Sequence, residues 1–375
     1  MIRRSTNRLK PAGAKMLLTL LAAQLGLCAV HATNADVQWD DGAGNNDWGN
    51  PTNWNGNTLP ATGLGTTGDK IHVNLAGTSR AAYSAGTGAN TYQLIRVGDS
   101  ASGELLVTGG SLGCDCGHAG TVTVTNGSLS FGGYMEVGLN SSSVGTLNVS
   151  GGLLDSARNG TIGGVSGVSI GFGDGAGAQG KCVLSGGELR TRTGILLGAN
   201  GGAGRFEVRG AGAANIGTDN PADDGFWVQS SGSTLAAYVT NGTLGSIYVA
   251  HLSGAAGTYS SGNVIFMPGS KLELGFLGAT NPGAWDLMTW DGAMLTNGLS
   301  LVSGTDTNWS FQFVTNGSAT SANTLRIIYI AANLNPPTGL VSVPGNSQVA
   351  LHWSAENGAT NYFLKRGKTA GGPYT

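Results

Sequence analysis

The sequence predicts an all-β protein, a right-handed parallel β-solenoid with capping β regions and an incomplete β-sandwich at its C-terminus. Three observations predict the solenoid. First, 66 of the 375 residues are glycine, far above the usual share of ~7%, while charged residues are only 11% and prolines number 10. Glycine costs ~1 kcal/mol per helix position relative to alanine, which excludes helical arrays. No G-X-Y period supports collagen. A formal net charge of −2, with Val, Ile, Leu and Phe recurring throughout, argues against charge-driven disorder. Second, apolar residues alternate with polar ones after each of five anchors, Gly103, Gly120, Gly145, Gly180 and Gly204. The pairs are Leu105/Val107, Val122/Val124, Leu147/Val149, Cys182/Leu184 and Phe206/Val208. A period of two marks a strand with one buried face. Third, another glycine motif recurs ahead of each anchor: Ile95-Val97-Gly98, Cys114-Cys116-Gly117, Met135-Val137-Gly138, Val168-Ile170-Gly171 and Ile195-Leu197-Gly198.

The chain opens with a basic, acid-free stretch (Arg3, Arg4, Arg8, Lys10, Lys15), then an apolar run from Met16 to Val30 and small residues near Ala32. This reads as a secretory signal peptide over 1–32. The apolar run is shorter than the ~20 residues a membrane span needs. Removing those five basic residues from the 19 leaves 14 against 21 acids, a net charge of −7, which disfavours nucleic acid as a partner. No later segment reads as a membrane span.

Residues 33–92 lack the repeat and carry Trp39, Trp48 and Trp54, so they read as an N-terminal cap over an otherwise exposed edge. Residues 93–268 hold the repeats. Six positions after each anchor stands Gly109, Asn126, Gly151, Gly186 or Gly210, residue types that tolerate the positive φ of a tight turn. Nine positions after stands Leu112, Leu129, Leu154 or Leu189, with Ala213 as the exception. Each unit thus offers about three short strands that bury their apolar side only by stacking on neighbours. The unequal unit lengths predict loops at 155–167 and 214–225. A β-propeller is the runner-up, but units of about 20 residues are too short for its ~40–50-residue blades. Residues 269–333, with Trp285, Trp290, Trp309 and the strand-like run Leu325 to Ile330, read as the C-terminal β cap.

Trp39-Asp40, Trp48, Asn53-Trp54 and Pro60, followed by units such as Gly145-Thr146-Leu147-Asn148-Val149-Ser150-Gly151-Gly152, resemble exported bacterial β-repeat proteins of the autotransporter-passenger-like, PEP-CTERM-associated type. The resemblance covers residues 36–330 and implies a secreted or cell-surface repeat with no catalytic residues to carry over. Residues 334–375 resemble the first half of a bacterial fibronectin type III domain, through Pro336-Pro337-Thr338-Gly339-Leu340, Val349-Ala350-Leu351-His352-Trp353, Gly358-Ala359-Thr360-Asn361-Tyr362, Lys365-Arg366 and Gly372-Pro373-Tyr374-Thr375. Strands are expected at 339–343, 348–353 and 362–366. Such modules often tether domains in secreted carbohydrate-active proteins, and here the reading frame looks truncated.

Three groups of residues invite a site. Cys114, Cys116 and Cys182 read as buried core cysteines, as a disulfide in an exported chain, or, with His118, as a metal site; the CxC spacing does not fit structural zinc. Asp219, Asp223 and Asp224 read as a solvated loop, a calcium site or an acid/base pair. Trp39, Trp48 and Trp54 read as cap packing or as a stacking platform for sugar rings. No Ser-His-Asp arrangement, HExxH or phosphate loop is recognisable. The leading expectation is a non-catalytic secreted or cell-surface protein with a structural or adhesive role, without cofactor or metal and with cell-surface or extracellular polysaccharide as its partner. The alternatives are a carbohydrate-binding accessory region of a larger secreted enzyme and a solenoid polysaccharide lyase or hydrolase. The sequence does not set an oligomeric state.

Overall fold

The computed structural model describes residues 34–354, apart from short stretches at 65–66, 133, 139–140, 157–159, 163–164, 219–223, 253–257, 259, 280, 318–320, 331–337 and 346–347. The signal-peptide segment 1–32 and the strand expected at 362–366 therefore lie outside the described residues.

The chain winds through three parallel ladders, the arrangement of a β-solenoid, with no α-helix among the described residues. The first ladder runs from Asp36–Gln38 and Lys70–Val73 through segments that include Met135–Val137, Gly194–Ala199 and Phe226–Gln229 to Asn263–Leu277 and Met294–Leu301. The second stacks Ala81–Tyr83, Glu104–Val107, Thr121–Val124, Val144–Val149, Gln179–Leu184, Ala203–Arg209 and Thr234–Thr240. The third links Ala89–Val97, Ser111–Ala119, Ser128–Phe131, Leu153–Ser156, Glu188–Thr191, Ala213–Ile216 and Ser246–Val249. Parallel stacking thus begins at Asp36 and continues past 268, so coils extend into both segments expected to be caps.

The inward columns are the ones the alternation marks. Leu147 pairs with Val122 and Cys182, Val149 with Val124 and Leu184, and all are buried at 2% exposure or less. Each such side chain contributes ~1.5–3 kcal/mol of burial. Where two ladders meet, a column of glycines makes the turn: Gly110, Gly127, Gly152 and Gly187 have φ of 74°, 74°, 69° and 66°. They stack so closely that a Cβ on Gly152 would stand 2.4 Å from the Gly127 oxygen, and one on Gly187 2.5 Å from the Gly152 oxygen. Only glycine meets both demands. The left-handed residue is one position later than expected from Gly109, Asn126, Gly151 and Gly186.

Three register details differ from expectation. Ile95 pairs with Gly117 and Val97 with Ala119, so the Cys114-Cys116-Gly117 triplet is not the counterpart of Ile95-Val97-Gly98. Cys114 instead joins the third ladder between Tyr92 and Phe131. Ile170 and Phe172, rather than Val168 and Ile170, align with Met135/Val137 and Ile195/Leu197. A slip of two preserves the alternation, so periodicity alone cannot detect it. In the fifth unit Ala214, not Ala213, follows Leu189 inward, because the turn around Gly210 and Gly212 holds one more residue.

The loop expected at 155–167 is replaced by structure. Asp155 and Ser156 belong to a strand, and Gly160–Ile162 pairs antiparallel with Val165–Asp174. Ile162 and Val168 join Leu196, Phe226, Val228 and Ile265 in a second apolar cluster on the outer side of the first ladder. Within 214–225, Ala214, Asn215 and Ile216 are also in a strand rather than a loop.

Both ends are covered. At the start, Ala82 is held on both backbone groups by Asn46 and Trp48, Asn55 donates to the Gln38 oxygen and Gly63 to the Thr91 oxygen. At the other end Gly283–Trp290, Thr324–Tyr329 and Trp309–Val314 form an antiparallel sheet with Phe276, Trp285, Trp309 and Tyr329 in mutual ring contact. Beyond it, Thr338–Gly345 and Gln348–Ser354 pair antiparallel as a separate two-stranded sheet. No helix among the described residues is long and apolar enough to cross a membrane.

Candidate functional site

The tryptophans, read as cap packing or as a sugar platform, are interior. Trp39, Trp48 and Trp54 are 1%, 1% and 0% exposed and pack edge to face or stacked at 4.7–6.4 Å. Their N–H groups donate to Ser79 O, Tyr92 Oη and Trp48 O. No indole face is open to a ligand, which corrects the platform reading. The cap needs apolar bulk over the first coil, and these rings supply it.

Cys182 is a free, fully buried thiol between Leu147 and Phe206, and burial raises its pKa well above the usual range. It is not half of a disulfide. Cys114 is buried on another ladder, and nothing is described of the Cys116 side chain. No cluster of three or more His, Cys, Asp or Glu side chains suited to a metal occurs among the described residues.

Of the three aspartates, Asp219 and Asp223 lie outside the described residues. Asp224 is not in a solvated loop: it is 4% exposed, and its carboxylate accepts from His251 Nδ1 at 2.8 Å and from the backbone N–H groups of Leu252 at 2.9 Å and Ser261 at 3.2 Å. Asp291 takes the His251 N–H at 3.0 Å and the Tyr248 hydroxyl at 2.5 Å. These carboxylates fasten chain turns at the end of the solenoid.

The sequence reading passed over a different constellation. Between the inward residues of the early first-ladder strands lies one outward residue, and the register lines these up as Gln38, His72, Arg96 and, two rungs on, Glu136. The next outward residues are Gly171, Leu196, Val228 and Ile265. One side of the ladder is therefore polar in its first half and apolar in its second. The apolar half is the part that packs with Ile162 and Val168 of the antiparallel insertion.

The polar half lines two adjoining depressions. One, of about 380 Å³, is bordered by Asp36, Gln38, Asn55, His72 and Asn74. The other, of about 610 Å³, is bordered by Ser102, Glu104, Thr121, Glu136, Ser143 and Val144. Arg96 and Asp99 belong to both. His72 sits between two carboxylates, with Nδ1 2.9 Å from Asp99 and Nε2 3.3 Å from Asp36, and Arg96 lies 4.0 Å from Asp99. Burial opposes ionisation of Asp99, but hydrogen bonds from His72 and Asn74 outweigh it and hold the carboxyl below its usual range. Burial, reinforced by the nearby charge of Asp174, pushes Glu136 up to about 7.

A protonated and an ionised carboxyl in one groove is an acid/base arrangement when the two flank a scissile bond. Here Arg96, whose strand leads into Asp99, and Glu136 are two rungs apart, roughly 10 Å at ~4.8 Å per rung. The two carboxyls thus belong to different coils. The groove is better built to hold a hydroxyl-rich ligand, since carboxylates, amides and a guanidinium offer acceptors and donors in fixed rows. The missed signal was available: the middle residue of each apolar-x-apolar motif reads His72, Arg96 and Glu136.

Comparison with protein-family models, curated proteins and solved structures finds no match to this chain.

Proposed function

We propose that the protein is a non-catalytic, secreted or cell-surface repeat protein with a structural or adhesive role. The observation that carries the reading is how the chain uses its chemically capable side chains. The tryptophans fill the first cap, Asp224 fastens backbone, and Glu207, with a side chain 2% exposed, is met by Lys181, Arg205 and Arg209. Arg205 forks onto Glu273 at 2.7 and 2.9 Å. Such pairs hold a shape; they leave few groups on the second ladder to attack a substrate. The basic start and apolar run at residues 1–32, together with the likeness to exported repeat proteins, support placement outside the cytoplasm.

The test is protease treatment of intact cells expressing the full chain, followed by fractionation and by attachment assays with a deletion strain. Degradation of the protein on intact cells, or its recovery in the medium, with weakened attachment in the deletion strain, is the expected result. A protease-protected cytoplasmic protein, or polysaccharide breakdown by the purified chain, overturns the reading.

A further inference from the structure

We propose that the open, polar half of the first ladder's outer side binds an extended, neutral polysaccharide strand laid along the solenoid axis. The proposal deepens the adhesive reading and rests on it. Three properties of the groove select that ligand.

The first is its row geometry. Gln38, His72 and Arg96 project from the same side of successive coils, so polar groups repeat there at ~4.8 Å, close to the repeat of an extended β-linked sugar chain, and Glu136, 7% exposed, follows two rungs beyond Arg96. Five rungs from Gln38 to Glu136 span roughly 19 Å, enough for a short run of sugar rings. The two depressions adjoin at Arg96 and Asp99, which line both.

The second is charge. Asp36, Asp99, Glu104 and Glu136 border the trough, against Arg96 and His72. Arg96 already faces Asp99, and Arg80 pairs with Glu104 at 3.4 Å. With Asp99 and Glu104 matched by cations and Glu136 raised to about 7, the trough carries little net charge and offers an anionic chain no cationic row to pair with, while its ionised carboxylates accept strongly from vicinal hydroxyls. Arg96, with its side chain 43% exposed, supplies donors, and Val144, 68% exposed at the rim, supplies an apolar contact for a ring face.

The third is the closed end. Glu136 is followed in register by Gly171, and Ile162 of the antiparallel insertion lies over it: a Cβ there would stand 2.9 Å from two Ile162 carbons. Beyond it the outer side is apolar and covered. The site is therefore finite, and its polar run stops where the insertion begins.

The experiment is native affinity electrophoresis of the purified chain in gels containing hydroxyethyl cellulose, galactomannan or xyloglucan, with alginate as the anionic comparison. Retarded migration in at least one neutral gel and none in alginate is expected. Arg96→Ala should weaken the apparent affinity at least tenfold. Ser102→Arg, at an exposed rim position that leaves the core untouched, should do the same by obstruction, while Lys271→Ala, exposed where its strand pairs with Thr234 away from the groove, should leave it unchanged. No retardation in any neutral gel, retardation in alginate alone, or retardation indifferent to Ser102→Arg overturns the proposal. A protein that is protease-accessible on intact cells yet fails these gels keeps the adhesive reading and loses this one.

Discussion

Replacing Val149 by aspartate tests the register on which the rest of the description stands. Val149 is 0% exposed and lies between Val124 and Leu184 in the second ladder. Removing its side chain from the core forfeits ~1.5–3 kcal/mol. The incoming carboxyl has no water and no cationic neighbour in its column, so it stays protonated or pulls the strand open. A burial shift of ~3–5 pKa units keeps it protonated at pH 7, about three units above its unfolded pKa, which at 1.36 kcal/mol per unit costs about 4 kcal/mol. Together these rival the whole ~5–15 kcal/mol stability of a typical domain. Asn148→Asp is the matched control: its side chain points outward, half-buried, and donates to Thr123 Oγ1 at 3.3 Å. Losing that bond costs ~0.5–1.5 kcal/mol. Circular-dichroism melts at pH 7 should show Val149→Asp unfolded or lowered far more than Asn148→Asp. The gap should narrow at pH 4, because the buried acid's penalty is absent below its unfolded pKa and grows as pH rises above it. Equal shifts for the two variants would refute the assigned strand phase.

Gly152→Ala should destabilise by more than Gly232→Ala in urea titrations; both have positive φ, ~1–2 kcal/mol for an L-residue, but only Gly152 also meets a carbonyl at 2.4 Å, while Gly232 has nothing within 4 Å. Glu136→Gln should flatten the pH dependence of stability: the raised native pKa of about 7 means wild-type stability falls as pH climbs from ~4.5 through 7, by ~1–2 kcal/mol after solvent screening. Melting temperatures at pH 5 and 8 check it, and an unchanged wild-type-like slope in the variant counts against the assignment. Cys182 should resist DTNB in the native state and react only on unfolding, since it is 0% exposed with a raised pKa. Amides at 348–353 should exchange faster than those at 182–184, because the pair of strands at 338–345 and 348–354 leaves Leu340, Val341 and Val343 at 61%, 55% and 47% exposure, and a lone hairpin is marginal.

How much of this was legible depends on what periodicity carries. Alternation after Gly145, Gly180 and Gly204 placed those three glycines in mutual register, which the ladder reproduces. Composition-level reasoning found both ends of the coil stack as aromatic-rich segments. Alternation is blind to a slip of two, so Val168/Ile170 was aligned where Ile170/Phe172 belongs. It is equally blind to a turn with an extra residue, hence Ala213 for Ala214. The antiparallel insertion escaped because its apolar residues, Ile162 and Val168, pack against the outer side of a ladder that was assumed to be solvated. The groove escaped for a related reason. His72 and Arg96 become neighbours, with Glu136 two rungs beyond, only once coils of unequal length are stacked.

The stacking of coils has a mechanical consequence. Because each coil touches only the ones before and after it, tension along the chain is not shared by the whole stack; it peels from an end, one coil at a time. The N-terminal latch is small in backbone terms, three paired residues from Asp36 to Gln38 against Lys70 to His72, and the ring cluster of Trp39, Trp48 and Trp54 bears the rest. Once it yields, a coil such as the one from Ile95 to Gly117, 22 residues by the register, releases about 75 Å of extended chain in exchange for a single ~4.8 Å rung. A stack built this way yields under load one coil at a time.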